Sequence, residues 1–385
     1  MISIEQAMRE LFEWASDRDF KGHDPHDLLS SPLLGRIKSP LARLIALQIG
    51  RRSALDLHRL FRVPAAENPK ALALFLVGLL RAQSAATPAW KERASELGQR
   101  LVSSMHKDGG WGYPFPWQSR THFLPANTPN IVTTSFAGMA LIELHDIAPS
   151  PKIRESIKMS AGYVASLEIL NPKPHTLNPP SAFGYAENDP QIVFNASLLG
   201  AEFLLKAGKL LSIPEYLELA RKSAEFVASH QHSDGGWAYG LEASQKWIDS
   251  FHTGFLIVSM KSIAEALGDD HLAESARRGF EYYKANFVEP DYAVRYFPRS
   301  RYPIDSHALG QAMVTFCKFG DHETTWRIAE WTVNNMRSND GYFYYQKHRF
   351  FTNRIPYMRW SNAWIFRGLT ELTGISPYRL NVEKS

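Results

Sequence analysis

Two short stretches place acid–base side chains directly ahead of apolar runs. In WIDSFH, Asp249 and His252 stand three residues apart, and in YPIDSH, Asp305 and His307 repeat the idea one step along the chain. A helical first turn would put Asp249 and His252 on one face. A carboxylate beside an imidazole orients and stabilises a general base near neutral pH. The competing role is structural, since Asp249 and Asp305 are also good N-caps, with Ser250 and Ser306 as rivals for that position. Tyr239, from DGGWAYG, is a fifth catalytic candidate. Candidate substrate-binding residues around them are Trp247, Glu187, Asn195, Arg295, Tyr296, Tyr344, His348, Tyr357, Arg359 and Trp360. Aromatic faces stack on apolar ring surfaces, and guanidinium forks pair with carboxylates.

The elements that must position these groups follow a repeat. Apolar segments begin in register at Ser135, Asn195, His252, His307 and Asn362, separated by 60, 57, 55 and 55 residues, and PKALALFLVGLL at 69–80 supplies a sixth. More charged segments alternate with them at 92–105, 152–168, 215–230, 271–286 and 323–337. These are apolar at i, i+3, i+4 and i+7, so one stripe is buried and one face is wet. Strand signals are almost absent. Alternating enclosed and half-buried helices predict an all-α (α/α)6 toroid, with residues 1–60 as an N-terminal helical segment packed on it and 61–385 as the ring.

Long aromatic connections lead into the inner helices: DGGWGYPFPW, SAFGYAEND, DGGWAYG, EPDYAVRYFPRSRYP and DGYFYYQKHRF. Their glycines allow a positive-φ turn, and Trp111 and Trp237 read as staples between an outer helix and the next inner one. All inner N-termini would then face one end of the ring, each adding unpaired N–H groups and partial positive charge.

The chain has 385 residues, a formal net charge of +4 and one cysteine, Cys317, read as a buried structural thiol. No basic run stands out, which argues against a nucleic-acid partner. No H-E-x-x-H, cysteine cluster, G-x-G-x-x-G, Walker loop or G-x-S-x-G occurs, so no metal or cofactor is expected. The N-terminus reads as an amphipathic helix without a signal peptide, and no stretch approaches a membrane span, so the cytoplasm is the expected location.

The DGGW-x-Y loops joined to apolar helices resemble two enzyme groups built on this toroid. One is the terpenoid cyclase and protein prenyltransferase group, but WIDS and PIDS do not make its D-x-D-D acid, and Cys317 lacks flanking zinc ligands. The other comprises unsaturated glucuronyl hydrolases, uronate lyases and glucuronyl epimerases. The segments YGLEASQKWIDSFHTGF, RYPIDSHALGQA and DGYFYYQKHRFFTNRIPYMRWSNAWIFRGLTEL are also similar to bacterial toroid proteins encoded beside exopolysaccharide or O-antigen genes, over about residues 100–375. That resemblance implies a carbohydrate-active enzyme of surface polysaccharide assembly, acting on a uronic-acid-containing glycan or precursor by proton abstraction or hydrolysis. It leaves room for peripheral association with a membrane assembly complex. The rival expectations are a prenyl-substrate enzyme with a dry, uncharged cavity, and a non-catalytic glycan-binding scaffold in which Asp249 and Asp305 only cap helices.

Overall fold

The computed structural model describes residues 2–82, 88–118, 123–170 and 181–373; residues 374–385, assigned to the ring from sequence, lie outside that range. In chain order the helices are α1 (Ile4–Ser16), α2 (Pro40–Arg52), α3 (Leu57–Leu60), α4 (Pro69–Arg81), α5 (Pro88–Ser103), α6 (Ile131–Ile147) and α7 (Pro151–Ser166). There follow α8 (Phe194–Leu211), α9 (Pro214–Ala228), α10 (Ser250–Leu267), α11 (Asp270–Phe287), α12 (Ser306–Lys318), α13 (His322–Met336) and α14 (Trp364–Leu369). A wide π turn, Met358–Ala363, leads into α14.

Six helices form a closed inner ring, α4–α6–α8–α10–α12–α14, with α14 returning to α4. Outside them, α5, α7, α9, α11 and α13 each pack on the inner helix preceding them. The architecture is the (α/α)6 toroid. Its inner helices are buried almost all round, and α8, for instance, hides fourteen of its residues from Phe194 to Gly208. Most of the interior joins one continuous apolar core.

The glycine corners show how the outer ring is tied together and how it closes. Gly109, Gly235 and Gly341 all have φ near +90°, a backbone region that suits glycine. A Cβ at Gly109 would sit 2.5 Å from the Met159 carbonyl oxygen in α7, and one at Gly235 would sit 2.5 Å from that of Arg278 in α11. Each corner therefore presses on the next outer helix. At Gly341 the helix met in the same way is α1, through Glu10. The N-terminal helix thus occupies the sixth outer position, against α13 and α14.

The tryptophans behind two of these corners are structural, as the sequence suggested. Trp111 Nε1 donates to the Leu101 carbonyl and Trp237 Nε1 to the Val227 carbonyl, each at 2.9 Å. Each adds a hydrogen bond to a carbonyl in the last turn of an outer helix.

Residues 17–68 run from α1 to α4 as a cap at the end of the ring where the inner helices begin. The cap has its own small core of Leu28, Leu29, Leu47 and Val63. It is fastened by Asn353 Nδ2 donating to the Ser53 carbonyl at 2.8 Å, and by a buried Arg359–Asp24 pair.

Candidate active site

The N-terminal turns of all six inner helices converge on one cavity of about 200 Å³. Its wall takes Lys70 from α4, Val132 from α6, Asn195 and Ala196 from α8, His252 from α10, His307 from α12, and Arg359 and Trp360 from the π turn before α14. The cap adds His26 and Arg51. Connecting loops add Tyr113, Tyr185, Tyr239, Trp247 and Tyr296.

Of the two Asp/His pairs, one forms and the other does not. Asp249 is the N-cap of α10, and its Oδ1 accepts the His252 N–H at 2.9 Å. Its Oδ2 accepts from His252 Nδ1 at 2.7 Å, which fixes the ring and leaves Nε2 for the cavity. Tyr239 packs edge-on against this imidazole at 4.7 Å and stacks on Trp247 at 4.2 Å. Burial and the Asp249 charge raise the Tyr239 phenol well above its ordinary value.

The expected side-chain pair of Asp305 and His307 is absent. Asp305 caps α12 through the His307 N–H at 2.8 Å, and its carboxylate then turns away from the imidazole, accepting from Gln346 Nε2 at 2.7 Å and Trp360 Nε1 at 3.0 Å. It is fully buried and does not line the cavity. Burial pushes its carboxyl up to about 6, against the hydrogen bonds from Gln346 and the His307 N–H. Its place is to hold Trp360, which does face the cavity.

Among the described residues His307 has no hydrogen-bond partner at either ring nitrogen, although it is buried. It lies between Phe251, stacked at 4.3 Å, and Trp364, stacked at 4.6 Å, with Trp360 edge-on at 4.6 Å. Burial, with the positive charges of Lys70 and Arg359, holds its ring well below the usual histidine range. The imidazole is therefore neutral near pH 7. A buried polar group without a partner is uncommon and calls for a ligand or a chemical role. Both His252 and His307 touch the ring of Phe251.

Lys70 is the residue that sequence reasoning missed. It sits in the first turn of α4, and its Nζ lies 4.3 Å from the Phe136 ring, 5.2 Å from Phe255 and 5.4 Å from Trp364. Among the described residues, its Nζ makes no ion pair or hydrogen bond. Burial, reinforced by the nearby Arg359 charge, drives the amine well below its ordinary value, against a weaker opposite pull from Asp24. The available signal was a lone lysine near the start of the strongly apolar run PKALALFLVGLL.

Two guanidiniums complete the cavity. Arg359 is held by Asp24 through Nε at 2.5 Å and Nη2 at 2.7 Å. Arg51 Nη2 donates to the Tyr296 hydroxyl at 2.8 Å. Asn195 presents a buried Oδ1 with no hydrogen-bond partner among the described residues. Among the described residues, no aspartate or glutamate is in the cavity wall.

Other expected site residues lie elsewhere. Glu187 is exposed and faces a separate groove with Asp108 and Tyr163. Arg295 is bound to Glu289 at 2.8 Å. Tyr344 sits under Arg354, and His348 stacks on Phe351 at 4.3 Å. Tyr357 is fully buried against Tyr345 and His58. Each comes from a long aperiodic connection, where sequence spacing gives no direction for a side chain. Cys317 is only half-buried, in the wall of a second cavity at the opposite end of the ring. Burial pushes its thiol up to about 12, so it stays protonated. That second cavity, about 350 Å³, carries paired charges such as Lys206 with Glu202 at 2.7 Å and Arg81 with Glu143 at 3.2 Å.

One trio among the described residues could hold a metal ion: His23, Asp27 and His58, whose ligand atoms lie within 4.8 Å of one another. It belongs to the cap, and His23 and Asp27 face a small cleft shared with Asp24 and Arg359. His58 already bridges Asp27 and Asp56, each at 2.9 Å.

No known protein family matches this chain, and no curated protein is similar to it. Solved structures with the same fold are numerous. Cellobiose 2-epimerase from Bacillus thermoamylovorans superposes with a TM-score of 0.62 at 11% identity, covering 80% of this chain and 90% of that one. An unsaturated glucuronyl hydrolase specific for heparin gives 0.58 at 12%, covering 84% and 89%. The GH76 α-mannanase of Bacteroides thetaiotaomicron gives 0.59 at 12%, also covering 84% and 89%. At these identities the likeness is one of fold. No helix among the described residues is long and apolar enough to cross a membrane.

Proposed function

We propose that the protein is a carbohydrate-active enzyme that moves a proton on a sugar, at a carbon next to a carbonyl or carboxylate, in an epimerase, isomerase or lyase reaction. The observation that carries this is the content of the cavity: three imidazoles, of which His252 and His307 are placed as bases, two guanidiniums, one lysine amine and, among the described residues, no carboxylate. Glycoside hydrolysis in its usual form needs two carboxylates flanking the bond. Asp249 and Asp305 are both buried and occupied, and Glu187 is remote.

In this reading His252, oriented by Asp249, takes or returns the proton through Nε2. His307, neutral and unpaired, serves the opposite face. Removing a proton beside a carbonyl builds negative charge on oxygen, and Lys70, Arg51 and Arg359 are the donors that meet it. Tyr239, Trp247 and Trp360 supply faces for the ring, and Asn195 an acceptor for a hydroxyl. An excess of cations with no acid in the wall supports an anionic sugar, a uronate or its glycan. The small volume supports one ring in the cavity at a time.

Fold neighbours named as an epimerase, a D-mannose isomerase and a glucuronyl hydrolase fit carbohydrate processing. A role in surface polysaccharide synthesis rests on the sequence resemblance alone. The charged, histidine-rich wall does not suit a prenyl substrate, which calls for a dry, uncharged cavity. Asp305 behaves as the scaffold reading expects, but the Asp249–His252 contact goes beyond capping.

The test is incubation in D2O with a panel of uronate-containing and neutral reducing oligosaccharides, followed by NMR. The expected outcome is deuterium at a carbon beside a carbonyl or carboxylate, or, for a lyase, cleavage that leaves a carbon–carbon double bond at that carbon. Bond cleavage with neither label nor a new carbon–carbon double bond would make the protein a hydrolase. Binding without any chemical change would make it a glycan-binding module.

A further inference from the structure

The cap carries a feature that the cavity does not use. Leu33, Leu41, Ile45, Ile49, Leu55 and Leu60 are each between 51% and 74% exposed. Leu41, Ile45 and Ile49 fall at i, i+4 and i+8 of α2 and form one stripe along its outer face. The opposite face buries only Leu47 and Gly50. Elsewhere the exposed large apolar residues are scattered, such as Ile147, Met159 and Phe297, apart from Phe350 and Phe351. Those two sit in a hairpin that Asn353 ties to Ser53, just past the end of α2. Phe350 is 87% exposed. A clustered apolar patch of this kind marks an interaction surface.

Charge separates the candidate occupants. Between residues 31 and 63 the exposed ionised side chains are Arg36, Lys38, Arg52, Arg59 and Arg62, against one acid, Asp56, which is already engaged by His58. A second copy of this chain docking through the same patch would set these cations against each other, because a twofold interface pairs each patch with itself. None of the six aliphatic residues lines a cavity described above, so the patch offers a ridge instead of a slot for a peptide. An aliphatic helix stripe flanked by Arg and Lys matches the interface of an anionic lipid layer, where apolar side chains enter the acyl region and cations meet headgroup phosphates.

We propose that the cap docks on an anionic lipid surface through Leu41, Ile45 and Ile49, with Arg36, Lys38, Arg52, Arg59 and Arg62 on the headgroups. The inference stands apart from the reaction assigned to the cavity. Its consequence is geometric: α2 also carries Arg51 into the cavity wall, so docking sets that cavity beside the membrane.

The test is flotation of the full chain with vesicles of neutral phosphatidylcholine, and with vesicles containing phosphatidylglycerol. The protein should favour the anionic vesicles by about tenfold or more at low salt and lose that preference at high salt. The double variant Ile45→Glu, Ile49→Glu should lose binding, and Arg52→Glu with Arg59→Glu should weaken it, both with unchanged melting temperature. The substituted residues are exposed, so folding is not at stake. Three results would overturn the proposal: no binding to anionic vesicles, equal binding to both compositions, or a solution dimer that Ile45→Glu, Ile49→Glu dissociates.

Discussion

At the start of α10 a carboxylate holds an imidazole; at the start of α12 the same two residue types have parted. The cause is one residue of spacing. In WIDSFH the histidine is the third residue after the cap, where a side chain can meet the cap residue's own. In YPIDSH it is the second, about 100° around the helix from that place. The Asp305 carboxylate keeps the backbone N–H of His307 and gives its remaining capacity to Gln346 and Trp360. One corner thus yields an oriented, charge-supported base, and its neighbour a bare neutral one. Two unlike bases in one cavity suit removal of a proton from one side and its return on another.

The comparison can be broken at several points. The largest effect should come from the imidazoles: His252→Asn and His307→Asn should each slow deuterium exchange by about 10²–10⁴-fold with the fold intact by circular dichroism. Lys70→Met should follow, with a loss of about 10²–10³-fold in kcat if Lys70 meets the developing oxyanion. The same variant should raise the melting temperature, because burying an amine without a counter-charge opposes folding. The folded amine titrates below its unfolded value, so wild-type stability falls as pH drops below about 10.4. The advantage of Lys70→Met should therefore fade as pH rises towards that value, which thermal melts across pH would show.

The two aspartates sharpen the contrast further. Asp249→Asn should lower kcat by about 10–100-fold through the orientation of His252, with a smaller change in KM. Asp305→Asn should keep activity within about tenfold and act on stability instead. Its carboxyl is raised to about 6 in the fold, so its contribution is fully present below about pH 3.9 and is lost as pH rises through 6. Relative to wild type, Asp305→Asn should gain about 2–3 kcal/mol between pH 4 and 7. A loss over that interval would show that the ionised Asp305 stabilises the fold.

Much of the architecture could be read from the chain because helical packing repeats. The apolar starts at 55–60-residue intervals and the Gly–Trp corners describe the same ring that the structure shows, and the roles of Trp111 and Trp237 follow from their equivalence. The site was most legible where it sits on that repeat, since His252, His307, Asn195 and Trp360 all lie at or beside an inner-helix start, while of the residues named in the aromatic connections Tyr239, Trp247 and Tyr296 also reach the cavity. What escaped came from outside the period. His26 and Arg51 arrive from the cap, and Asp24 reaches Arg359 from 335 residues away in sequence. Lys70 was hidden by its neighbours, since an apolar helix reads as core until its one cation proves to face a cavity. Glu187, Arg295, Tyr344, His348 and Tyr357 failed for the opposite reason, lying in connections whose side-chain directions no spacing dictates.

The central claim is that histidines of the cavity, and no carboxylate, move the proton. Deuterium incorporation into a uronate substrate in D2O, compared across wild type, His252→Asn, His307→Asn and Asp305→Asn, tests it most directly. The account predicts exchange in the wild type and in Asp305→Asn, and loss of about 10²-fold or more in both histidine variants. Exchange that survives both histidine substitutions but disappears in Asp305→Asn would contradict it.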